Sequence, residues 1–257
     1  MGWDWRSQAS AVLAQDRTGG EAGLMATTTA LVTGANKGLG RETVRRLAAQ
    51  GWDVFLAARD TERGSAAAAE LDVRFVQLDV TSDESVTAAV ETVKRAVGRL
   101  DVLVNNAGVG VPATPPGDTR VAELRDVFEV NVFGPVRVTN AFLPLLRAAQ
   151  HPRIVMVSSG MGSFTLANDP RWSGLVLPQL GYPASKAALN MITSQYARAL
   201  DGVKVNAVEP GYTATDLNGH AGFQTVAEGA DAIVELAGVG PDGPTGGFFD
   251  RKGTVPW

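Results

Sequence analysis

The stretch TALVTGANKGLGRETVRRL, residues 29 to 47, joins an apolar β-type run to a helical pattern through a turn that contains Gly34, Gly38 and Gly40. Glycine permits a tight turn, lets the backbone approach a phosphate closely and leaves N–H groups free at the positive end of the helix. The pattern therefore favours a nucleotide-phosphate site. A tight structural turn without a ligand is the alternative.

The alternation of strand and helix continues through the rest of the chain. It predicts right-handed βαβ units and an α/β fold, a single-domain Rossmann-type doubly wound parallel sheet of about seven strands with helices on both faces. The predicted strands are 29–33, 53–57, 73–77, 101–104, 153–157, 204–208 and 247–249, and the helical patterns include 38–50, 82–97, 121–149 and 182–200.

Residues 28–257 form this predicted domain, and residues 1–27 are predicted to be a poorly ordered extension without the features of a signal peptide. A second translation start at Met25 is an open alternative. Two stretches rich in Gly and Pro, 109–118 and 160–181, each follow a predicted strand. Ligands of open parallel sheets bind beyond the carboxyl ends of the strands, so these stretches are predicted to be substrate loops.

The composition limits the classes of partner. Of 257 residues, 45% are hydrophobic and 19% are charged, which is an ordinary globular balance. A net charge of −4 favours neither nucleic acid nor an anionic membrane, and a small molecule is the expected partner. The chain has no cysteine and two histidines, so we expect no disulfide and no metal site, and a cytoplasmic location. No apolar run reaches the length of a membrane span.

The end of the second predicted strand bears on the choice of nucleotide. It ends Ala57-Ala58-Arg59, where NAD sites carry an acid and NADP sites a basic residue. Arg59 and Lys37 are predicted to converge on the 2′-phosphate of NADPH. Asp60 is the alternative ribose ligand, although its position also suits a cap of the next helix. Lys37 and Arg59 also suit solvated surface positions.

Tyr182 and Lys186 are four residues apart at the start of a predicted helix, which puts both side chains on one face. An ammonium group close to a phenol favours the phenolate, so we expect Lys186 to lower the pKa of Tyr182 toward working pH. A tyrosine in that position can donate or accept a proton. Taken alone, a pair at this spacing is usually a surface pair.

In combination, these motifs resemble the short-chain dehydrogenase/reductase family. The resemblance extends from about Thr29 to the C-terminus and rests on the glycine turn, on Asn-Asn-Ala-Gly at residues 105–108, on Ser158-Ser159, and on Tyr182 with Lys186. Within that family, the turn at residues 34–38, the strand end at 58–60 and the tail from Gly246 to Trp257 are similar to the NADPH-dependent carbonyl reductases.

The resemblance implies a role for each matching residue. Tyr182 would be the catalytic acid, Lys186 would lower its pKa and hold the nicotinamide ribose, Ser159 would bind the substrate carbonyl oxygen, and Asn131 would hold a water in a proton relay. Outside the full set, Asn131 suggests a buried helix kink, Asp79 a helix cap and Ser159 a loop residue.

The patterns and the resemblance together predict the contacts of both ligands. Predicted cofactor contacts are Gly34, Asn36, Lys37, Gly38, Leu39, Gly40, Arg59, Asp79, Val80, Asn105, Ala107, Gly108, Tyr182, Lys186, Pro210, Gly211, Thr213 and Thr215. Predicted substrate contacts are Ser159, Met161, Trp172 and Tyr212, in a pocket that Phe164, Leu217 and the loop at 109–116 also bound. This lining is mainly apolar and favours a ketone, aldehyde or quinone.

The expected function is NADPH-dependent reduction of such a carbonyl by hydride transfer, with Tyr182 as the proton donor. One alternative is a dehydrogenase/reductase for a dedicated metabolite working in the oxidative direction. Another is a dinucleotide-binding sensor without turnover, although such a module needs no proton donor. The sequence leaves open whether the protein is a monomer or a homo-oligomer.

Overall fold

The fold is seen in a computed structural model that describes residues 27–110, 114–173 and 178–257. The strands in these residues are β1 Thr29–Thr33, β2 Asp53–Ala58, β3 Arg74–Gln77, β4 Val102–Asn105, β5 Arg153–Val157, β6 Lys204–Val208, β7 Phe248–Asp250 and β8 Gly253–Thr254. They form one sheet in the order β3-β2-β1-β4-β5-β6-β7-β8. The predicted α/β fold with its doubly wound sheet is confirmed. The predicted extension, residues 1–27, lies outside the described residues except for Thr27.

The centre of the sheet is β1, which is buried along its whole length and pairs in parallel with both β2 and β4. From β1 the chain winds outward through β2 and β3 on one side and through β4 to β7 on the other. The strand order therefore reverses between β1 and β4. In open parallel sheets, this reversal leaves a crevice at the carboxyl ends of the two strands, where ligands bind.

The far edge of the sheet differs from the predicted seven parallel strands. After β7 the chain turns back and pairs antiparallel as β8. The Asp250 side chain accepts hydrogen bonds from the backbone N–H groups of Lys252, at 2.6 Å, and Gly253, at 2.9 Å. This local turn adds a short eighth strand that has no hydrophobic run of its own and that a periodicity argument therefore misses.

Helices cover both faces of the sheet. Within the described residues they are α1 Gly38–Ala49, α2 Thr61–Leu71, α3 Asp83–Val97, α4 Val121–Phe128, α5 Gly134–Arg147, α6 Phe164–Ala167, α7 Pro170–Ser173, α8 Gly181–Ala199 and α9 Val226–Ala237. One core lies between the sheet and α1, α2 and α9, and the other lies between the sheet and α3, α5 and α8. In the described parts of the chain, no helix is long and apolar enough to cross a membrane.

The predicted helix at 121–149 is interrupted. A π-helical turn, Glu129–Phe133, separates α4 from α5. It contains Asn131, whose side chain is fully buried. A π-turn inserts one extra residue into the helix, and such turns are frequent at functional sites.

The two predicted substrate loops contain short helical segments. The stretch at 160–181 includes a 3-10 turn at Gly160–Gly162 as well as α6 and α7, and its residues 174–177 lie outside the described residues. The stretch at 109–118 includes a 3-10 turn at Pro116–Asp118, and its residues 111–113 lie outside as well. Both stretches emerge from the carboxyl side of the sheet, after β4 and β5.

Candidate active site

The glycine turn between β1 and α1 has the geometry that its sequence predicts. Gly34 and Gly38 adopt positive φ angles of 62° and 56°. A Cβ atom on Gly34 would lie 2.8 Å from the Cα atom of Ala107, so the turn passes directly against the loop after β4. Helix α1 begins without a side-chain cap. The N–H groups of its first turn are therefore available to an anion.

The loop after β4 is fixed to this turn by hydrogen bonds. The Asn106 amide donates to the carbonyl oxygen of Thr33 at 2.8 Å, and the Ala107 N–H donates to the Thr33 hydroxyl at 3.0 Å. Asn105 is buried and donates to the hydroxyl of Thr139 at 3.0 Å. Asn105 thus ties the sheet to α5, while Asn106 and Ala107 tie β4 to the glycine turn.

The charges at the predicted 2′-phosphate site come from three elements. Arg59 is exposed directly after β2. Lys37 pairs with Asp216 at 2.6 Å, and both side chains are more than half exposed. Asp60 accepts a hydrogen bond from the Arg63 N–H at 2.9 Å, so the interpretation of Asp60 as a helix cap is confirmed.

Asp79 also has a local partner in the structure. Its carboxylate accepts hydrogen bonds from the N–H and the hydroxyl of Thr81, at 2.9 and 2.7 Å. The cap of α3 is Ser82, so the alternative interpretation of Asp79 as that cap is wrong. Next to it, the Val80 carbonyl accepts a hydrogen bond from Arg137 at 2.6 Å.

The segment after β6 lies over the glycine turn. Gly211 has a positive φ of 79°, and Thr213 is buried with its hydroxyl donating to the Pro210 carbonyl at 3.1 Å. The Thr215 side chain would contact a Cβ atom on Gly38 at 3.7 Å. The structure therefore brings the predicted cofactor residues after β1 and β6 to one place.

The predicted catalytic residues meet beside the loop after β4. Lys186 Nζ lies 5.5 Å from the ring centroid of Tyr182 and donates to the Val157 carbonyl at 2.9 Å. A Cβ atom on Gly108 would lie 3.6 Å from Lys186 Nζ and 3.4 Å from Asn131 Oδ1. Lys186, Tyr182 and Asn131 are therefore neighbours, although they come from two helical segments.

Asn131 is held by both of its amide atoms. Its Oδ1 atom accepts from the Val109 N–H at 2.8 Å, and its Nδ2 atom donates to the Val109 carbonyl at 2.9 Å and to the Ser185 hydroxyl at 3.1 Å. It thus connects the π-turn, the loop after β4 and α8. The predicted interruption of the helix at Asn131 is present as the π-turn; its role in a proton relay stays a prediction.

Ser159 follows β5 and lies at the start of the Gly160–Gly162 turn, where its hydroxyl accepts from the Met161 N–H at 3.2 Å. Ser158, its neighbour, is buried and bonds to Asn190 at 2.5 Å. The two serines therefore have different partners. Ser158 bonds within the core, and the hydroxyl of Ser159 interacts with the Tyr182 hydroxyl.

Glu209, the residue that sequence reasoning missed, is the last before Pro210 and is 8% exposed. One carboxylate oxygen accepts from the Gly160 N–H, and the other accepts from the Gly211 N–H at 2.9 Å. Burial raises its pKa to about 7, an effect that the Gly211 N–H and Lys186 oppose and that Asp250 reinforces. The position of Glu209 directly after β6, at the carboxyl end of the sheet, could have indicated a site residue. An acid before Pro-Gly belongs to no recognised motif, so the sequence alone did not single it out.

The pKa of Tyr182 does not follow the expectation. Burial and the nearby Glu209 carboxylate raise it above the usual value, and the hydrogen bond with Ser159 opposes them. Burial also lowers the pKa of Lys186 to about 8, against the opposing effect of Glu209. The expected lowering of the Tyr182 pKa is wrong for this structure, because burial and the Glu209 carboxylate disfavour the phenolate more than the Ser159 hydrogen bond favours it.

The structure describes three of the four predicted substrate contacts. Met161 is partly buried next to Ser159, and Tyr212 is 49% exposed and packs edge-to-face on Phe223. Leu217 lies against Gly110. The side chain of Trp172 lies outside the described residues. Phe223, which is 83% exposed and packs on Tyr212, was not among the predicted residues.

Comparisons with known proteins agree with this arrangement. A family model described as short chain dehydrogenase matches residues 28–223. A short-chain dehydrogenase of Penicillium roqueforti, anuI, is 37% identical, with 88% of this chain and 94% of the relative covered. A (+)-neomenthol dehydrogenase of Capsicum annuum is 32% identical, with 87% and 95% covered.

Solved structures give the same result. Salutaridine reductase of Papaver somniferum superposes with a TM-score of 0.75 at 30% identity and covers 87% of this chain and 99% of its own. NADPH-bound carbonyl reductase from chicken fatty liver superposes with a TM-score of 0.79 at 28% identity and covers 90% and 99%. The chain belongs to the short-chain dehydrogenase/reductase family, whose members are oxidoreductases that bind a nicotinamide dinucleotide.

Proposed function

We propose that this protein reduces a ketone, aldehyde or quinone carbonyl to the alcohol, with NADPH as the hydride source and Tyr182 as the proton donor. The observation that carries the proposal is the meeting of Tyr182, Lys186 and Asn131 beside Gly108, at the point where the strand order reverses. Relatives described as isopiperitenone reductase and salutaridine reductase support a small-molecule carbonyl substrate.

The residues around the crevice fit a dinucleotide. The positive φ of Gly38 and the uncapped start of α1 suit a pyrophosphate, and the exposed guanidinium of Arg59 suits a 2′-phosphate. Asp60 is engaged at the helix start, which disfavours it as a ribose ligand. A carbonyl reductase with NADPH bound is among the solved structures with this fold, which also supports NADPH.

The bound nicotinamide would supply the hydride. The protein would hold the substrate carbonyl oxygen between the Ser159 and Tyr182 hydroxyls, which stabilise the negative charge that develops there. Tyr182 would donate its proton to that oxygen, and Lys186, 5.5 Å from the Tyr182 ring, would stabilise the phenolate that remains. Asn131 would anchor the relay that returns a proton to Tyr182.

The apolar rim of Tyr212, Leu217 and Phe223 favours an aromatic or aliphatic substrate. We also propose that residues 28–257 act as one reductase domain and that the protein works in the cytoplasm, as its cysteine-free composition suggests. The protein's natural substrate would be a carbonyl compound small enough to enter between the loops after β4, β5 and β6.

A panel assay with a pair of matched variants tests the proposal. Purified protein is mixed with NADPH and a panel of ketones, aldehydes and quinones, and in the reverse direction with NADP and alcohols. We expect NADPH oxidation with at least one carbonyl compound. Tyr182→Phe should lower turnover by about 10²- to 10⁴-fold, because the proton donor is lost, while NADPH binding measured by calorimetry stays within a few-fold.

Tyr196→Phe is the matched control, since Tyr196 lies on the same helix, about 21 Å further along its axis, and donates a hydrogen bond to Asn140 at 2.8 Å. It should keep nearly normal turnover. Equal turnover of Tyr182→Phe and wild type would reject Tyr182 as the proton donor. If NADPH bound but neither carbonyl reduction nor alcohol oxidation were detected, a dinucleotide-binding sensor without turnover would be favoured instead.

A further inference from the structure

Glu209 is a buried ionisable group next to the proposed proton donor, and the mechanism above does not use it. Its two carboxylate oxygens accept N–H groups from two different loops, Gly160 after β5 and Gly211 after β6. The backbone N–H of Glu209 itself donates to the Phe249 carbonyl in β7 at 2.7 Å. The side chain therefore joins the loop that carries Ser159 to the turn that precedes Thr213.

The charged and titratable groups around Glu209 come from every neighbouring element. Tyr182 and Lys186 face it from α8, Asp250 faces it from β7, and the Ser159 hydroxyl interacts with it from the loop after β5. Lys186 favours its charged form and Asp250 disfavours it. In return, the charge on Glu209 disfavours the phenolate of Tyr182 and favours the ammonium of Lys186.

We propose that Glu209 is a positioning residue of the active site, which fixes the Ser159–Gly160 turn to the turn at Gly211 and whose negative charge keeps Tyr182 protonated. The proposal rests on the proposed function to the extent that Tyr182 is the proton donor. It adds a preference of direction, because reduction starts from a protonated Tyr182 and alcohol oxidation needs Tyr182 as a base.

The proton balance of the two directions explains the preference. In reduction, the Tyr182 proton moves to the substrate oxygen, and the phenolate left behind takes a proton from solvent before the next turnover. In oxidation, the phenolate must exist first and accept the proton of the alcohol. Above pH 7, where Glu209 carries its negative charge, that charge lowers the population of the phenolate and therefore slows oxidation, while the reactant state for reduction stays populated.

The direct test is a titration of Tyr182 that needs no catalysis. The chain has three tyrosines, so ¹³C-labelled tyrosine gives few resonances, and Tyr182→Phe identifies the one of interest. Glu209→Gln removes the charge and keeps the shape. We expect it to lower the titration midpoint of Tyr182 by about one pH unit or more, a tenfold change in its acid dissociation constant. Glu209→Ala, which places no amide group opposite the Gly160 N–H, should give the same shift.

Two further variants separate charge from tethering. Glu209→Asp keeps the charge but is too short to join both loops, so the Tyr182 midpoint should stay high while kcat for carbonyl reduction falls more than KM for NADPH rises. Asp250→Asn is the matched control, since it also removes a carboxylate that accepts two backbone N–H groups. It should leave the Tyr182 midpoint in place.

An unchanged Tyr182 midpoint in both Glu209→Gln and Glu209→Ala, or an equal shift in Asp250→Asn, would overturn the proposal. A second readout is the pH profile of kcat/KM for alcohol oxidation, whose acidic limb should move to lower pH in Glu209→Gln. A shifted midpoint in a protein that turns over none of the panel would leave the role of Glu209 standing and reject the proposed function instead.

Discussion

At the scale of single residues, Arg59 is the residue that we propose selects NADPH over NADH. Its guanidinium is exposed directly beyond the carboxyl end of β2, next to the crevice and without an acid at the strand end. An arginine binds a phosphate with two parallel hydrogen bonds, which a ribose hydroxyl does not replace. Lys37 reaches the same region but is paired with Asp216, whose pKa it lowers. In the proposed function, NADPH would share the Lys37 ammonium with Asp216 or displace Asp216 from it.

Arg59→Ala should therefore weaken NADPH binding by roughly tenfold to a hundredfold, as expected for a lost hydrogen bond to a charged group, and leave NADH binding nearly unchanged. Calorimetric titration with both nucleotides measures this. The matched control is Arg74→Ala, since Arg74 pairs with Asp53 at 2.8 Å at the opposite end of β2. An equal loss of NADPH and NADH affinity would contradict the role of Arg59.

Residue-level prediction succeeded where the signal was local. The helix cap at Asp60 follows from its position directly before a helical pattern, and the hydrogen bond to the Arg63 N–H confirms it. The direction of the Tyr182 pKa shift did not follow from the Tyr-Lys spacing, because burial and Glu209 raise this pKa. Neither burial nor a carboxylate 27 residues along the chain can be read from that spacing.

At the scale of elements, two glycines at the two ends of α1 both have positive φ angles and can be compared. Gly34 has a φ of 62° and Gly51, after α1, has a φ of 83°. A Cβ atom on Gly51 meets nothing within 4 Å, whereas one on Gly34 lies 2.8 Å from the Cα atom of Ala107. The two positions therefore share the strain of a left-handed residue and differ in space.

Gly51→Ala should lower the free energy of unfolding by about 1–2 kcal/mol, the cost of a left-handed conformation. Gly34→Ala should lower it further and also abolish NADPH binding, because the turn must separate from the loop after β4. Urea unfolding and calorimetry measure both effects. Equal destabilisation with normal NADPH binding would mean that the close approach of the turn to Ala107 is not needed.

The helix predicted at 121–149 shows what an element-level pattern omits. Helical periodicity located the segment, but the π-turn at Glu129–Phe133 depends on contacts of Asn131 with Val109 and Ser185, which are 22 and 54 residues away in sequence. Such contacts form only when α4, the loop after β4 and α8 are packed together. The resemblance to a family indicated Asn131 before any geometry did.

At the scale of the whole molecule, the buried charges of the site make folding depend on pH. The pKa of Glu209 is raised to about 7 in the folded protein, from an ordinary value of 4.5. Between these two values the folded state holds a proton that the unfolded state has lost, so this group's contribution to stability falls as pH rises from 4.5 to 7. Lys186 acts in the opposite sense, because burial lowers its pKa from 10.5 to about 8. Between these two pH values the unfolded state holds a proton that the folded state has lost, so the contribution of Lys186 to stability rises with pH.

We therefore expect Glu209→Gln to reduce the decline in stability between pH 4.5 and 7. Urea unfolding of the wild type and the variant at several pH values measures it. Asp250→Asn serves as control and should keep most of the decline. A decline of equal steepness in Glu209→Gln would show that Glu209 ionises in the folded protein as it does in the unfolded chain.

The sequence by itself determined the order of strands and helices, the glycine turn, the family and the residues that would perform the chemistry. These features are carried by short-range patterns, in which residue type and spacing restrict the local backbone. Only the tertiary structure decided that Glu209 joins two loops beside Tyr182 and that Asp216 forms an ion pair with Lys37. The π-turn that contains Asn131 and the eighth strand at the sheet edge were likewise decided by the tertiary structure. The physical reason is that burial, charge interaction and shared hydrogen bonds depend on distances between residues far apart in the chain, which packing alone sets.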